Sequence, residues 1–104
     1  MEIQILEYLK RYHTGRGRAV PSSLLEARFD IRGAELRKQI NTLRSDGYPI
    51  CSGETGYYYA ASRRELSATI RQLSSRIGKI AAAKNGLVRA MNLFPDESQI
   101  SLQL

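Results

Sequence analysis

Arg37, Lys38, Asn41 and Ser45, with Ala34 before them and Arg44 at the margin, fall on one side of a helix drawn through residues 32–46. Their chemistry suits the edges of bases. Arginine and lysine can donate to guanine O6 and N7 or to phosphate, and asparagine can bond adenine through two hydrogen bonds at once. The other side of the same helix carries Leu36, Ile40 and Leu43, spaced four and three, the stripe a helix turns towards a core. This segment therefore predicts readout of a duplex through its major groove, with Arg32 at the helix entrance joining the contact set. A solvated basic helix looks the same when taken alone, so the surrounding elements have to decide.

Other residue types with chemical potential are sparse. The chain has one histidine, His13, and one cysteine, Cys51. With no His/Cys/Asp/Glu grouping at ligand spacing, no metal site, cofactor or catalytic Cys-His pair is expected, and the chain does not read as an enzyme. His13 is read as a helix C-terminal residue. Glu26, Asp30 and Glu35 are close in sequence, but Asp30 reads better as the cap of the helix that follows than as half of a catalytic carboxylate pair. Arg16 and Arg18, in Thr14-Gly15-Arg16-Gly17-Arg18, offer either phosphate contacts or a flexible basic loop. The stretch lacks the Gly-Lys-Ser/Thr of a phosphate-cradling loop.

Charge is basic and unevenly placed. The 16 Lys+Arg against 10 Asp+Glu give a net +6, which favours a polyanionic partner. Residues 1–61 hold only a slight excess. Residues 62–91 hold Arg63, Arg64, Arg71, Arg76, Lys79, Lys84 and Arg89 against the single acid Glu65. The same segment carries a seam, Leu66, Ile70, Leu73, Ile77, Ile80, Lys84, Leu87 and Met91, spaced alternately four and three. That is the repeat of a helix pairing with another helix, and only Lys84 in it is polar. Two copies joined along this seam are the expected outcome. Packing of the seam on helix one of the same chain is the alternative.

The elements that position these residues follow from local pattern. Ile5, Leu6, Leu9 and Tyr12 make Ile3–Tyr12 a helix, and His13-Thr14-Gly15 closes it. Ala19-Val20 reads as a short strand, and Pro21-Ser22 starts a second helix with Leu25, Phe29, Leu24 and Ala27 as its apolar surface. The third helix runs from about Arg32 to Asp46 and stops at Gly47. Tyr48–Ser52 and Tyr57–Ala60 then flank Gly53-Glu54-Thr55-Gly56, the pattern of a β-hairpin. Tyr57 and Tyr59 face one way and Tyr58 the other. Tyr48, Tyr57 and Tyr59 are expected in the core, and Pro49, which cannot donate, places its strand at an edge. Ser62-Arg63-Arg64-Glu65 is a capping box opening the long helix. In residues 92–104, Ile100, Leu102 and Leu104 alternate as in a short strand.

Three helices followed by a hairpin is the order of a winged helix-turn-helix. The run Ile31–Ile50 is similar to the recognition-helix-to-wing segment of biotin-operon-repressor-like winged helices. Lys38, Ile40, Leu43 and Arg44 match their Lys-x-Ile-x-x-Leu-Arg core, Gly47, Tyr48 and Ile50 their Gly-Tyr-x-Ile, and Gly56-Tyr57 the close of the wing. The chain also resembles small prophage-type winged-helix proteins. At two positions it departs from that pattern: Arg32-Gly33 stands where the family carries Ser-Arg, and the wing tip bears the acid Glu54.

Together these readings predict a mainly α (α+β) winged helix over residues 1–61, a long basic dimerisation helix over 62–91, and a tail over 92–104. The expected partner is double-stranded DNA, bound sequence-specifically by a homodimer, as a transcription regulator does. A protein-interaction winged helix and a phage or plasmid replication-accessory protein are the alternatives. No run is apolar and long enough for a membrane span. Met1–Gln4 lacks the features of a secretory signal, so a cytoplasmic location is expected.

Overall fold

The structure, a computed structural model, describes residues 1–94. The alternating Ile100, Leu102 and Leu104 lie outside the described residues. The fold is mainly helical, with four α-helices and one small antiparallel sheet among the described residues. The chain divides into two compact units, the first Met1–Ile70 and the second from Arg71 onward.

In the first unit, α1 (Glu2–Tyr12), α2 (Ser22–Phe29) and α3 (Gly33–Ser45) surround one core. Ile5, Leu6 and Leu9 from α1, Leu25 from α2, and Leu36, Ile40 and Leu43 from α3 are all buried there, together with Val20 and Ile50. Each such side chain contributes roughly 1.5–3 kcal/mol by leaving water. Three expected core members are not in it. Leu24 is more than half exposed and Ala27 is exposed because both lie off the narrow stripe α2 turns inward; Tyr12, in line with Ile5, is more than half exposed at the last residue of α1.

Three residues, Asp30, Ile31 and Arg32, join α2 to α3. Asp30 does not cap α3 as its position predicts. It adopts the left-handed conformation (φ 52°, ψ 52°) and closes α2, with its N–H donating to the Glu26 carbonyl. Aspartate tolerates this conformation better than most residues. Arg32 takes the N-cap position of α3, with no side-chain cap bond.

The hairpin pairs β1 (Ile50–Gly53) with β2 (Gly56–Tyr59), Ile50 opposite Tyr59 and Gly53 opposite Gly56. Glu54 and Thr55 make the two-residue tip. Tyr57 and Tyr59 pack on the core, as the alternation requires, while Cys51 and Tyr58 are buried as a pair on the other face. Tyr48 is 40% exposed, contrary to expectation. The ladder begins only at Ile50, after the left-handed Gly47 (φ 95°) and Pro49, so strand alternation does not extend back to Tyr48.

Ala19-Val20 does not form a full strand. Val20 makes a one-residue bridge, exchanging hydrogen bonds with Tyr57 (2.8 and 2.9 Å). Gly56 (φ 127°) permits that bridge, since a Cβ there would fall on the Val20 carbonyl.

The long helix, α4, spans Arg63–Ala90 and is followed by a short 3-10 turn, Met91–Leu93. The capping box forms by half. Ser62 Oγ accepts the Glu65 N–H at 3.3 Å, but the Glu65 carboxylate bonds the N–H groups of Ala61 (2.8 Å) and Arg16 (2.9 Å) instead of that of Ser62. A second tie follows at Thr69, whose Oγ1 accepts the Ser52 N–H at 3.2 Å. These bonds place the opening turns of α4 with the first unit, beyond the boundary at Ser62 that charge and periodicity indicate. No described helix is long and apolar enough to cross a membrane.

Candidate nucleic-acid interface

Burial of Leu36, Ile40 and Leu43 fixes the rotation of α3, and with it the residues that face water. Arg32, Ala34, Arg37, Lys38, Asn41 and Ser45 are all exposed. They form one polar surface beginning where α3 leaves α2. Gly33 lies at this entrance with little room. A Cβ there would sit 3.3 Å from Arg37 Nη1 and 3.4 Å from Glu26 Oε1, so both side chains converge on the glycine.

Arg44 belongs elsewhere. Its Nε donates to the Ile50 carbonyl at 2.8 Å and its Nη2 to Ser52 Oγ at 3.1 Å. The partly buried guanidinium thus ties the last turn of α3 to β1, fixing the angle at which the hairpin leaves the helix. A charged donor spent on two such acceptors is positioned for structure. Its spacing places Arg44 at the margin of the polar face; the fold turns it towards the hairpin.

Gln39, which carries no signal of its own in the sequence, is buried to 7% exposure. Its Nε2 donates to Glu35 Oε1 at 3.0 Å, while its Oε1 is shielded without a partner. Its position between Leu36 and Leu43, beside Ile40, is what marks it as inward-facing. Glu35 is drawn into that bond and adds an acid to the exposed side of the first helical turn.

Arg16 and Arg18 do not lie in a flexible loop. They form a 3-10 turn, Arg16–Arg18, held from several sides. Gly15 N–H donates to the Tyr59 carbonyl (2.8 Å), His13 Nδ1 donates to the Arg18 carbonyl (2.8 Å), and Arg16 N–H donates to Glu65. Both arginine side chains remain exposed on this pinned turn. The hydrogen bonds from Arg16 and then Ala61 hold the Glu65 carboxyl below its ordinary value. His13 is the C-cap of α1, and its Nε2 is shielded without a partner.

Comparison with protein families, curated proteins and solved structures finds no match to this chain.

The seam of α4 is the other expected functional feature. Leu66, Leu73 and Met91 are half-buried, while Ile70, Ile77, Ile80, Lys84 and Leu87 are exposed, Ile77 at 67% and Leu87 at 73%. Among the described residues no three His, Cys, Asp or Glu side chains gather where they could hold a metal ion.

Proposed function

We propose that this chain binds double-stranded DNA sequence-specifically as a winged helix-turn-helix, with α3 as the recognition helix and β1–β2 as the wing, and regulates transcription as a homodimer. The observation that carries the reading is the solvent face of α3: Arg37, Lys38 and Asn41 stand outward together on a helix whose opposite stripe is locked in the core. Helix α2, its three-residue turn and the Arg44 brace supply the frame such a face needs to enter a major groove. Arg32, Ala34 and Ser45 contact the same groove or its phosphates, and Arg16 and Arg18 add phosphate contacts from their turn. The acidic Glu54 at the hairpin tip argues for a wing that guides orientation without gripping phosphate.

A single chain leaves Ile70, Ile77, Ile80 and Leu87 in solvent, and a second copy is the simplest cover for them. Isoleucine at one seam position and leucine at the other suit a two-stranded pair. A dimer implies a site with two-fold symmetry.

Selection of bound sequences from a random duplex pool tests the whole reading. The expected result is an enriched palindrome. Failure to enrich any sequence, with no retardation of duplex in a gel, would favour a protein-interaction module. Tighter binding to single strands than to duplex at equal salt would favour a replication-accessory role.

A further inference from the structure

Helix α4 has two sides with different needs. Arg71 and Arg89 lie at nearly one azimuth, since eighteen residues make about five turns, and that azimuth is opposite the seam. Lys79 stands beside them, and all three are exposed. The single acid of α4, Glu65, is already bonded by two backbone N–H groups, and the helix carries no other acid to balance those cations. Between the arginines the face carries Ser75, Gly78 and Ala82, small residues that let another surface come close. No described residue lies within 4 Å of a Cβ built at Gly78, so packing among the described residues does not account for a glycine that costs a helix about 1 kcal/mol. On the flank, Gln72, Ser75, Arg76 and Lys79 line an open polar recess of about 310 Å³.

We infer that this face of α4 is a second nucleic-acid surface, a track for duplex phosphates that adds affinity without reading sequence. The inference rests on the DNA reading of α3 given above. A polyanion of regular spacing fits better than a lipid surface. A helix lying in a membrane interface inserts its apolar side and carries its cations on the opposite side; with the seam covered by a second copy, α4 has no apolar side left to insert. Arg71 and Arg89 are separated by roughly 27 Å along the axis, enough to reach phosphates on both sides of a groove. The two sides of α4 can therefore be occupied at once, one by a second copy and one by DNA.

The test compares three full-length proteins on random and selected 24-base-pair duplexes across a salt series: wild type, R71Q/K79Q/R89Q, and R37A/N41A. Circular dichroism and sedimentation check that fold and assembly are unchanged, as expected when core and seam are untouched. The α4 variant should weaken binding equally on both duplexes. It should also make the slope of log K against log salt shallower by about 3, at roughly 0.9 for each phosphate no longer neutralised. The α3 variant should lose the preference for the selected duplex and keep a steep slope. An unchanged slope in the α4 variant, with the α3 variant still losing preference, overturns the inference and leaves the DNA reading standing. A wild type that binds neither duplex overturns both. Wild-type binding to phosphatidylserine vesicles that the α4 changes abolish, with duplex binding untouched, overturns the inference in favour of a membrane surface.

Discussion

Helices α3 and α4 are both amphipathic, with apolar residues spaced three and four apart and basic residues elsewhere, yet their apolar stripes meet opposite fates. Leu36, Ile40 and Leu43 of α3 are covered almost completely by α1, α2 and the hairpin. Ile77, Ile80 and Leu87 of α4 are mostly exposed. A periodic apolar stripe states a demand for cover; whether the chain meets that demand itself depends on what else folds against it. Where the demand is met internally, as in α3, the polar face becomes a fixed surface. Where it is not met among the described residues, as in α4, the apolar side stays exposed.

The largest expected effect lies on the α3 side of this contrast. Leu36→Ala should cost about 2–5 kcal/mol of unfolding free energy, read from urea denaturation, because truncating a fully buried leucine leaves a cavity. If it costs no more than Leu87→Ala measured at the same low protein concentration, the two stripes do not differ in the way their burial implies.

Assembly comes next. Leu73→Lys combined with Ile77→Lys should weaken association by about 3 kcal/mol or more, over a hundredfold, as apolar surface at the interface is replaced by charge. Sedimentation should find the wild type dimeric at tens of micromolar and the variant monomeric, with the hairpin fold intact by circular dichroism. A monomeric wild type would remove the dimer, and with it the expectation of a palindromic site.

The polar face of α3 should account for about 1–3 kcal/mol of specific binding at each of Arg37→Ala and Asn41→Ala, with little change in folding. Unchanged affinity in both would remove α3 from the interface. Wild-type binding should also fall with salt at a slope of about −5 to −7, the value for some 6–8 phosphates neutralised per dimer. Arg44 sharpens the same point from the other direction. Arg44→Ala should lower stability by about 1–2 kcal/mol as its bonds to Ile50 and Ser52 disappear, an effect absent at its exposed neighbour Ser45.

The smallest effect is a pH dependence at the start of α4. Glu65 has its carboxyl held below the ordinary 4.5 by hydrogen bonds from Arg16 and Ala61, so it contributes stability above about that pH. That contribution is lost as pH falls from there through the depressed folded value. Comparing acid titrations of wild type and Glu65→Gln should find the variant's stability changing less over this window. Identical profiles would mean that the carboxylate does not hold the Arg16–Arg18 turn to α4.

Much of the first unit is legible in the residues alone. Helix periodicity marks α1, α3 and α4, the change to alternation after Gly47 marks the hairpin, and Leu36, Ile40 and Leu43 identify the inward side of α3. That choice leaves Arg37, Lys38 and Asn41 outside, so the candidate face is readable once its helix is. The margins are less so. The pattern places Arg44, Glu65 and Gln39 roughly on a helical wheel and marks them as polar, but does not say which groups they bond.

The sequence by itself therefore determined which faces are apolar, because that depends on side-chain spacing along three or four turns. The tertiary structure decided the partners. Arg16 reaches Glu65 across 49 positions in the chain, and Ser52 reaches Thr69 across 17, through backbone N–H groups that every residue but proline carries and no composition reveals. Asp30 ended α2 instead of starting α3 for a related reason: a short acidic residue can serve either end, and the turn's backbone conformation selects between them. Hydrogen bonds are directional and short in range, so they are settled only when the chain has brought distant backbone within about three ångströms. Hydrophobic burial has no such requirement, and its pattern is already written in the spacing of leucine and isoleucine.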